Sequence, residues 1–209
     1  IVKTFAAKNL PLDAIILDAY WFGGYKPEYP KTMGNFSWLK QNFPNPNAYL
    51  DSLKRKGIHT ILINEPYINT RSFNFGMMKK NGWLVKKHGE SEPFVFSPFW
   101  AGDAALLDIT HPEVAPWLWK QFSRLIAQGV SGLWIDLTEP EHPVQNGEYY
   151  LGSDNKVHNM YNFLWAKMIH EGFRNDFPNQ RVFNLTRAGY TGMQRFGAIN
   201  WSGDASKTW

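Results

Sequence analysis

Cysteine is absent from the 209-residue sequence, which excludes disulfides, thiolate nucleophiles and cysteine-ligated zinc. No apolar run approaches the ~18–20 residues of a membrane-spanning helix, so we expect no membrane span. Charged residues are sparse at 19% while hydrophobic residues reach 44%, a balance that excludes a disordered chain.

The charge pattern gives little support to a nucleic-acid partner. Lysine and arginine number 22 against 18 acidic residues, for a formal net charge of +4. The basic residues are scattered, and their densest clusters, within 54–56 and 79–87, are short. We interpret these clusters as a solvated surface and expect no nucleic-acid partner.

Aromatic residues are abundant, at 16% of the chain with ten tryptophans. The ring N–H of tryptophan needs a hydrogen-bond partner, which makes this residue a costly filler for a core. The richness therefore favours a flat, half-polar ligand such as a sugar, with a large aromatic core as the structural alternative.

Short apolar runs that end in a polar residue recur along the chain. They lie at 14–17, 59–63, 132–135, 182–185 and 198–201. Runs this short, rich in Ile, Val and Leu, predict strands buried on both faces. Helical patterns over 47–56, 110–127 and 158–175 alternate with them, which predicts a parallel sheet with right-handed crossovers.

Local signals mark where two of these helices begin and end. The first follows an Asn-Pro pair and stops at Gly57, a natural residue after a helix end. In the second, Thr110 is expected to cap the helix and Glu113 to complete a capping box.

Polar residues at the carboxyl ends of parallel strands predict the active face of a (β/α)8 TIM barrel. A doubly wound open sheet would place them similarly, but it usually carries a glycine-rich phosphate loop, and this sequence has neither G-x-G-x-x-G nor a Walker A motif. About five strands are visible where a barrel needs eight, and the chain starts in mid-helix and stops soon after Asp204. We expect residues 1–209 to form a central portion of a catalytic barrel whose remaining parts lie outside this chain.

Residues 66–105 contain no clear element and are crowded with aromatic side chains. Connections longer than about 15 residues tend to be functional. We expect a loop or small subdomain, inserted in the barrel after the second visible strand, that walls a substrate cleft.

Two carboxylates suggest the chemistry. Asp136 follows the apolar run at 132–135, and Asp204 follows Trp201-Ser202-Gly203. Taken alone, Asp136 could be a buried turn cap and Asp204 part of an ordinary Gly-Asp turn. Together they supply what glycoside cleavage needs, one carboxylate as nucleophile or base and one carboxylic acid to protonate the leaving oxygen.

Two long motifs resemble those of glycoside hydrolase family 31. WIDLTEPE at 134–141 resembles the nucleophile motif, and LTRAGYTGMQRFGAINWSGD at 185–204 resembles the acid/base motif. Within the family, YWFG at 20–23, INEPYIN at 63–69 and QRFG at 194–197 are similar to the oligosaccharide 4-α-D-glucosyltransferase (α-transglucosylase) branch.

The resemblance implies a set of site residues and no cofactor or metal. Asp136 would be the nucleophile and Asp204 the general acid/base. The implied substrate-binding residues are Asp18, Glu65, Trp134, Arg187 and Trp201. Glu65 stands where many members have Asp. Arg187 is expected to lower the pKa of Asp136. Asp204 could act as an acid if it is poorly solvated beside Trp201.

The implied activity is retaining transfer of a glucosyl group from the non-reducing end of an α-glucan to an α-glucan acceptor. The alternatives are an α-glucosidase that hydrolyses oligosaccharides to glucose and a non-catalytic carbohydrate-binding protein. A further alternative is a metal site built from Asp136, Glu139, Glu141 and His142. The expected location is periplasmic or extracellular.

Overall fold

The computed structural model describes residues 1–23, 31–206 and 208. Its helices are α1 Val2–Ala7, α2 Pro46–Lys54, α3 Phe75–Lys80, α4 Val114–Ala127, α5 Asp154–Val157 and α6 Tyr161–Asp176, with 3₁₀ turns at Ala19–Trp21, His158–Met160 and Met193–Phe196. Its strands are β1 Ala14–Leu17, β2 His59–Asn64, β3 Tyr67–Asn69, β4 Lys86–Lys87, β5 Val95–Phe96, β6 Ala104–Leu106, β7 Gly132–Ile135, β8 Gly147–Tyr149, β9 Gly152–Ser153, β10 Asn184–Thr186 and β11 Ala198–Asn200.

A parallel sheet forms the centre of the described chain. Its strand order is β1-β2-β7-β10-β11, and every neighbouring pair runs parallel. The order follows the chain without reversal in the described residues, so this part of the sheet has no topological switch point of the doubly wound kind. The structure confirms the predicted parallel sheet of about five strands and is consistent with a partial (β/α)8 barrel.

Helix α2 follows the predicted start and stop signals closely. It begins at Pro46, and the Asn45 side chain accepts a hydrogen bond from the Ala48 N–H at 3.1 Å. Gly57, with φ of +71°, follows the helix end.

Helix α4 begins later than expected, at Val114. The Thr110 hydroxyl donates to the buried Asp108 carboxylate at 2.6 Å, and the Glu113 carboxylate accepts from the Trp83 indole at 3.1 Å. Both side chains of the predicted capping box are therefore engaged elsewhere, and that prediction is wrong.

Helix α6 packs on α4 at close range. A Cβ at Gly172 would fall within the van der Waals envelope of the Trp119 indole. The same indole donates to the Asp176 carboxylate at 2.7 Å, which fixes the ring over the glycine.

Residues 66–105 contribute to two small antiparallel sheets, of order β3-β6-β5 and β4-β8-β9. The second joins this segment to residues 147–153, which follow β7 in the chain. A continuous apolar cluster connects the segment to the parallel sheet, with Tyr67, Leu106 and Leu62 all fully buried within it.

Within the described residues, no helix has both the length and the apolarity needed to cross a bilayer.

Candidate active site

The carboxyl ends of the parallel strands bring the predicted site residues to one edge of the sheet. Asp18 comes directly after β1, Glu65 after β2, Asp136 after β7 and Arg187 after β10, while Asp204 lies four residues beyond the end of β11. Because neighbouring parallel strands end on the same side, these residues face a common region.

Arg187 ties together three carboxylates in this region. Its Nε lies 3.3 Å from Asp136 Oδ1 and donates to Glu139 Oε1 at 2.8 Å, while Nη2 donates to Glu139 Oε2 at 3.1 Å and also to the Glu141 carboxylate. The pKa of Arg187 is raised, chiefly by its bond to Glu139. The guanidinium is therefore a fixed positive charge among the acids.

Glu139 and Glu141 are the site residues whose role the sequence prediction missed, since it assigned them only to the metal alternative. The available signal was their spacing from Asp136, which places three acids within six residues directly after a strand. Among the described residues, no group of three or more His, Asp or Glu side chains is arranged to hold a metal ion. Arg187 provides positive charge at the point where that alternative requires a cation.

Asp136 is anchored by its own backbone turn. Its Oδ1 accepts from the Leu137 N–H at 2.8 Å, and its own N–H donates to the Asn64 carbonyl at 3.0 Å. Leu137 has a left-handed backbone with φ of +58°, a strained conformation for a leucine. The turn therefore aims the carboxylate away from the strand at the cost of local strain.

The pKa of Asp136 is raised, contrary to the direction expected from Arg187. Burial is the largest cause and outweighs the lowering by the Leu137 N–H and by Arg187, while Glu139 and Glu141 raise the pKa further. The expected contribution of the arginine is present, but the net prediction is wrong because the sequence did not show how far Asp136 is buried.

Glu65 is a deeply buried acid beside the nucleophile candidate. Its residue is 5% exposed, and Oε2 has no hydrogen-bond partner among the described residues. Its pKa lies well above the usual range, because burial raises it most and Asp136, Asp18 and Glu141 add to the effect against the opposing Arg187. Burial thus favours the protonated form of Glu65, which could donate a hydrogen bond into the site.

Asp18 links the ends of the first two parallel strands. Its Oδ1 accepts from the Ala19 N–H at 2.7 Å and begins the 3₁₀ turn Ala19–Trp21. The Trp21 indole at the end of that turn donates to the Ile63 carbonyl of β2 at 2.7 Å. The position of Asp18 is thereby fixed against the strand that leads to Glu65.

Two tryptophans flank the acids. The rings of Trp134 and Trp201 meet edge to face with centroids 5.7 Å apart, and the Trp134 indole N–H is buried without a partner among the described residues. A Cβ at Gly203 would lie 3.3 Å from Arg187 Cδ. The segment that carries Asp204 therefore rests on the arginine that contacts Asp136.

Asp204 itself is exposed in the described chain. The poor solvation beside Trp201 that would favour an acid role is not found in the described chain. Trp201 turns its ring toward Trp134, so its contact is with the other tryptophan.

A parallel sheet in chain order, with acidic side chains gathered at the carboxyl ends of its strands, is the arrangement of a (β/α)8-barrel catalytic domain. The chain belongs to glycosyl hydrolase family 31: the model of the family's TIM-barrel domain matches residues 1–209. This confirms the family resemblance seen in the two motifs.

Similar proteins include α-glucosidase 2 of Bacillus thermoamyloliquefaciens, 27% identical, with the match covering 100% of this chain and 27% of that protein. The uncharacterized family 31 glucosidase ORF2 of Pseudescherichia vulneris is 28% identical, with the match covering 98% of this chain and 37% of that protein. The Flavobacterium johnsoniae dextranase in complex with glucose is 30% identical over 97% of this chain and 25% of its own, with a TM-score of 0.86. A soil-metagenome α-xylosidase in complex with xylose is 29% identical, with the match covering 100% of this chain and 30% of that one, and its TM-score is also 0.86. The chain thus spans between 25% and 37% of the length of these proteins.

Proposed function

We propose that this chain forms the catalytic face of a retaining α-glucosidic enzyme, with Asp136 as nucleophile and Asp204 as general acid/base. The observation that carries the proposal is the position of Arg187. Its Nε lies 3.3 Å from Asp136 Oδ1, and its Cδ would lie 3.3 Å from a Cβ placed on Gly203, the residue before Asp204. The curated relatives described above, an α-glucosidase and a family 31 glucosidase, support the same class of activity.

In the first step, Asp136 attacks the anomeric carbon of a terminal glucosyl unit while Asp204 gives its proton to the leaving oxygen. The glycosidic bond breaks and an ester forms between the sugar and Asp136. Arg187 and the Leu137 N–H hold the attacking carboxylate in one orientation. The positive charge that develops on the sugar offsets the desolvation of the buried carboxylate.

In the second step, Asp204 removes a proton from the acceptor, whose oxygen displaces Asp136 from the anomeric carbon. Water as acceptor gives hydrolysis, and a sugar hydroxyl gives transfer. We favour α-1,4 transfer to an α-glucan acceptor. This choice rests on the branch resemblance and on an aromatic wall next to the site, formed by Tyr67, Phe96 and Phe99 around His142.

That wall surrounds His142. The rings of Tyr67, Phe96 and Phe99 lie 6.2, 6.2 and 5.7 Å from the His142 ring. The backbone N–H of His142 donates to the Tyr67 hydroxyl at 2.8 Å, which holds the His142 backbone against the wall. Tyr67 and Phe99 are buried, so the exposed His142 ring is the part of the wall that an acceptor would meet. A flat, half-polar ring on an apolar base suits a pyranose acceptor better than it suits water.

The wall also adjoins the acids that Arg187 holds together. His142 Nε2 lies 3.6 Å from Glu141, which contacts Arg187. An acceptor held against His142 would therefore lie near the reacting centre.

Hydrolysis to glucose is the second candidate, favoured by the α-glucosidase among the relatives. The proposed location is periplasmic or extracellular, which cell fractionation would test.

Product analysis of the intact protein with maltotriose separates transfer from hydrolysis. We expect longer and shorter oligomers with little free glucose. In His142→Ala, the ratio of transfer to hydrolysis should fall by about fivefold, the size of a lost ring contact. His59→Ala is the control, since His59 is exposed at the opposite, amino-terminal end of β2. Glucose as the main wild-type product would contradict transfer and support the hydrolase.

A further inference from the structure

A second candidate sugar-binding site lies on the antiparallel sheet β4-β8-β9. Two cavities of about 410 and 770 Å³ flank it, volumes typical of small-molecule sites at roughly 300–1,000 Å³. Both are lined by Glu148, Tyr149 and Tyr150, and neither is lined by any of the candidate active-site residues. Tyr150 is 62% exposed between them.

The exposed Tyr150 ring is held on a rigid support. Its backbone N–H donates to the buried Asp108 carboxylate at 2.6 Å, and the next N–H, of Leu151, donates to the Thr110 hydroxyl at 3.2 Å. The Thr110 hydroxyl in turn donates to Asp108 at 2.6 Å. Ordering an aromatic ring before binding lowers the entropy cost of association.

An aromatic ladder connects Tyr150 to the core. Its ring packs edge to face on His111 at 5.1 Å, and His111 packs on the buried Trp83 at 6.2 Å. The Tyr150 ring is thus fixed from below while most of its surface stays open to solvent.

The polar groups around the ring are mixed in sign. Glu148 lies 4.0 Å from Lys86 Nζ and 3.3 Å from His88 Nδ1, and the wider cavity adds the side chains of Asn146 and Asp154. Neighbouring charges of opposite sign give no strong field of one sign, which disfavours a phosphorylated ligand. An aromatic face between hydrogen-bonding side chains suits a neutral, hydroxyl-rich ring.

We propose that Tyr150, with the two cavities beside it, binds a neutral α-glucan chain at a second site outside the catalytic centre. The identity of the glucan rests on the proposed function. A chain bound at both places is held at a raised effective concentration, which strengthens binding of long glucans relative to short ones.

Affinity electrophoresis of the intact protein in gels containing amylopectin tests the site. We expect wild-type protein and Tyr150→Phe to be retarded alike, since both keep an aromatic face. In Tyr150→Ala, the apparent Kd should rise about fivefold, the size of a lost ring contact. Phe73→Ala is the matched control, because Phe73 is 69% exposed and lines neither cavity; we expect it to behave as wild type.

The assay needs no turnover, so its failure is distinct from failure of the proposed function. Weaker retardation of Tyr150→Ala, combined with no wild-type turnover of α-glucosides, would support the site and refute the proposed activity. Unchanged retardation of Tyr150→Ala, or an equal loss in Phe73→Ala, would overturn the site whatever the turnover.

Discussion

Arg187 acts on several residues at once. It contacts Asp136, Glu139 and Glu141 and packs under Gly203. Without its charge, the three acids would repel one another in a partly buried setting. The arginine therefore allows a dense group of carboxylates to exist where the proposed reaction needs one of them ionised.

Replacing each proposed catalytic acid by alanine, one at a time, should separate their roles. In Asp136→Ala, we expect a folded protein whose turnover falls on the order of 10³-fold or more, because no group remains to form the ester. In Asp204→Ala, turnover of natural substrates should be lost, while azide should partly restore it with an activated aryl glucoside that needs no acid.

The measurement is steady-state kinetics on the intact protein, with the anomeric form of the azide product determined by NMR. Asp51→Ala, an exposed change on α2, is the control. Near-normal activity of Asp136→Ala would refute its role as nucleophile. An inverted product or the lack of azide rescue would refute the role of Asp204.

Glu65 should make stability depend on pH in a defined direction. Its pKa is raised in the folded protein, so the unfolded chain releases this proton at lower pH than the folded one does. Its contribution to stability is full below the unfolded pKa of about 4.3 and is lost as the pH rises toward the folded pKa. Above that pH, Glu65 should lower the free energy of unfolding by up to ~1.4 kcal/mol for each pH unit. Glu65→Gln should lack this decrease.

Urea unfolding at several pH values between 5 and 7 checks this effect as a difference between wild type and variant. The difference is needed because the pKa values of Asp108 and Asp136 are also raised by burial and add slopes of the same sign. Glu90→Gln, at an exposed position, should leave the slope unchanged. Parallel pH profiles for wild type and Glu65→Gln would show that the buried acid does not retain its proton.

At the scale of elements, the contact between α4 and α6 depends on a glycine, Gly172, that leaves room for the Trp119 ring. A Gly to Ala exchange within a helix ordinarily stabilises by ~0.5–1 kcal/mol. In Gly172→Ala, however, the new methyl would meet the Trp119 indole, whose N–H is held by Asp176. We therefore expect a loss of about 1–3 kcal/mol from overpacking.

The free energy of unfolding in urea measures this loss. Gly76→Ala in α3 is the matched control, because a Cβ there meets no heavy atom within 4 Å, and we expect it to be neutral or stabilising. A stabilised Gly172→Ala would mean that the indole moves aside easily.

The elements also show what the sequence could predict. The run at 14–17 and the run at 132–135 are strands with the predicted bounds, because parallel strands give a continuous apolar signal. The predicted burial holds for 132–135 but not for 14–17, where Ile16 is exposed in the described chain. The strands within 66–105 have two or three residues each, too few for any periodicity to be visible. The start of α4 was predicted wrongly because Thr110 bonds to Asp108, a tertiary contact that local capping rules do not include.

The same limit applies to the site. The family resemblance implied that Arg187 lies near enough to Asp136 to act on its pKa, and the 3.3 Å contact agrees. The net pKa of Asp136 and the open setting of Asp204 depend on how neighbouring segments cover them. Burial of that kind is a property of packing and leaves no signature in a single motif.

At the scale of the whole molecule, each strand of the parallel sheet is adjacent in space to the one that precedes it in that sheet along the chain. During synthesis, each strand of the described sheet after β1 can therefore pair at once with an edge that is already present. This ordered growth from the amino terminus limits the time that an unpaired edge is open to association with other chains.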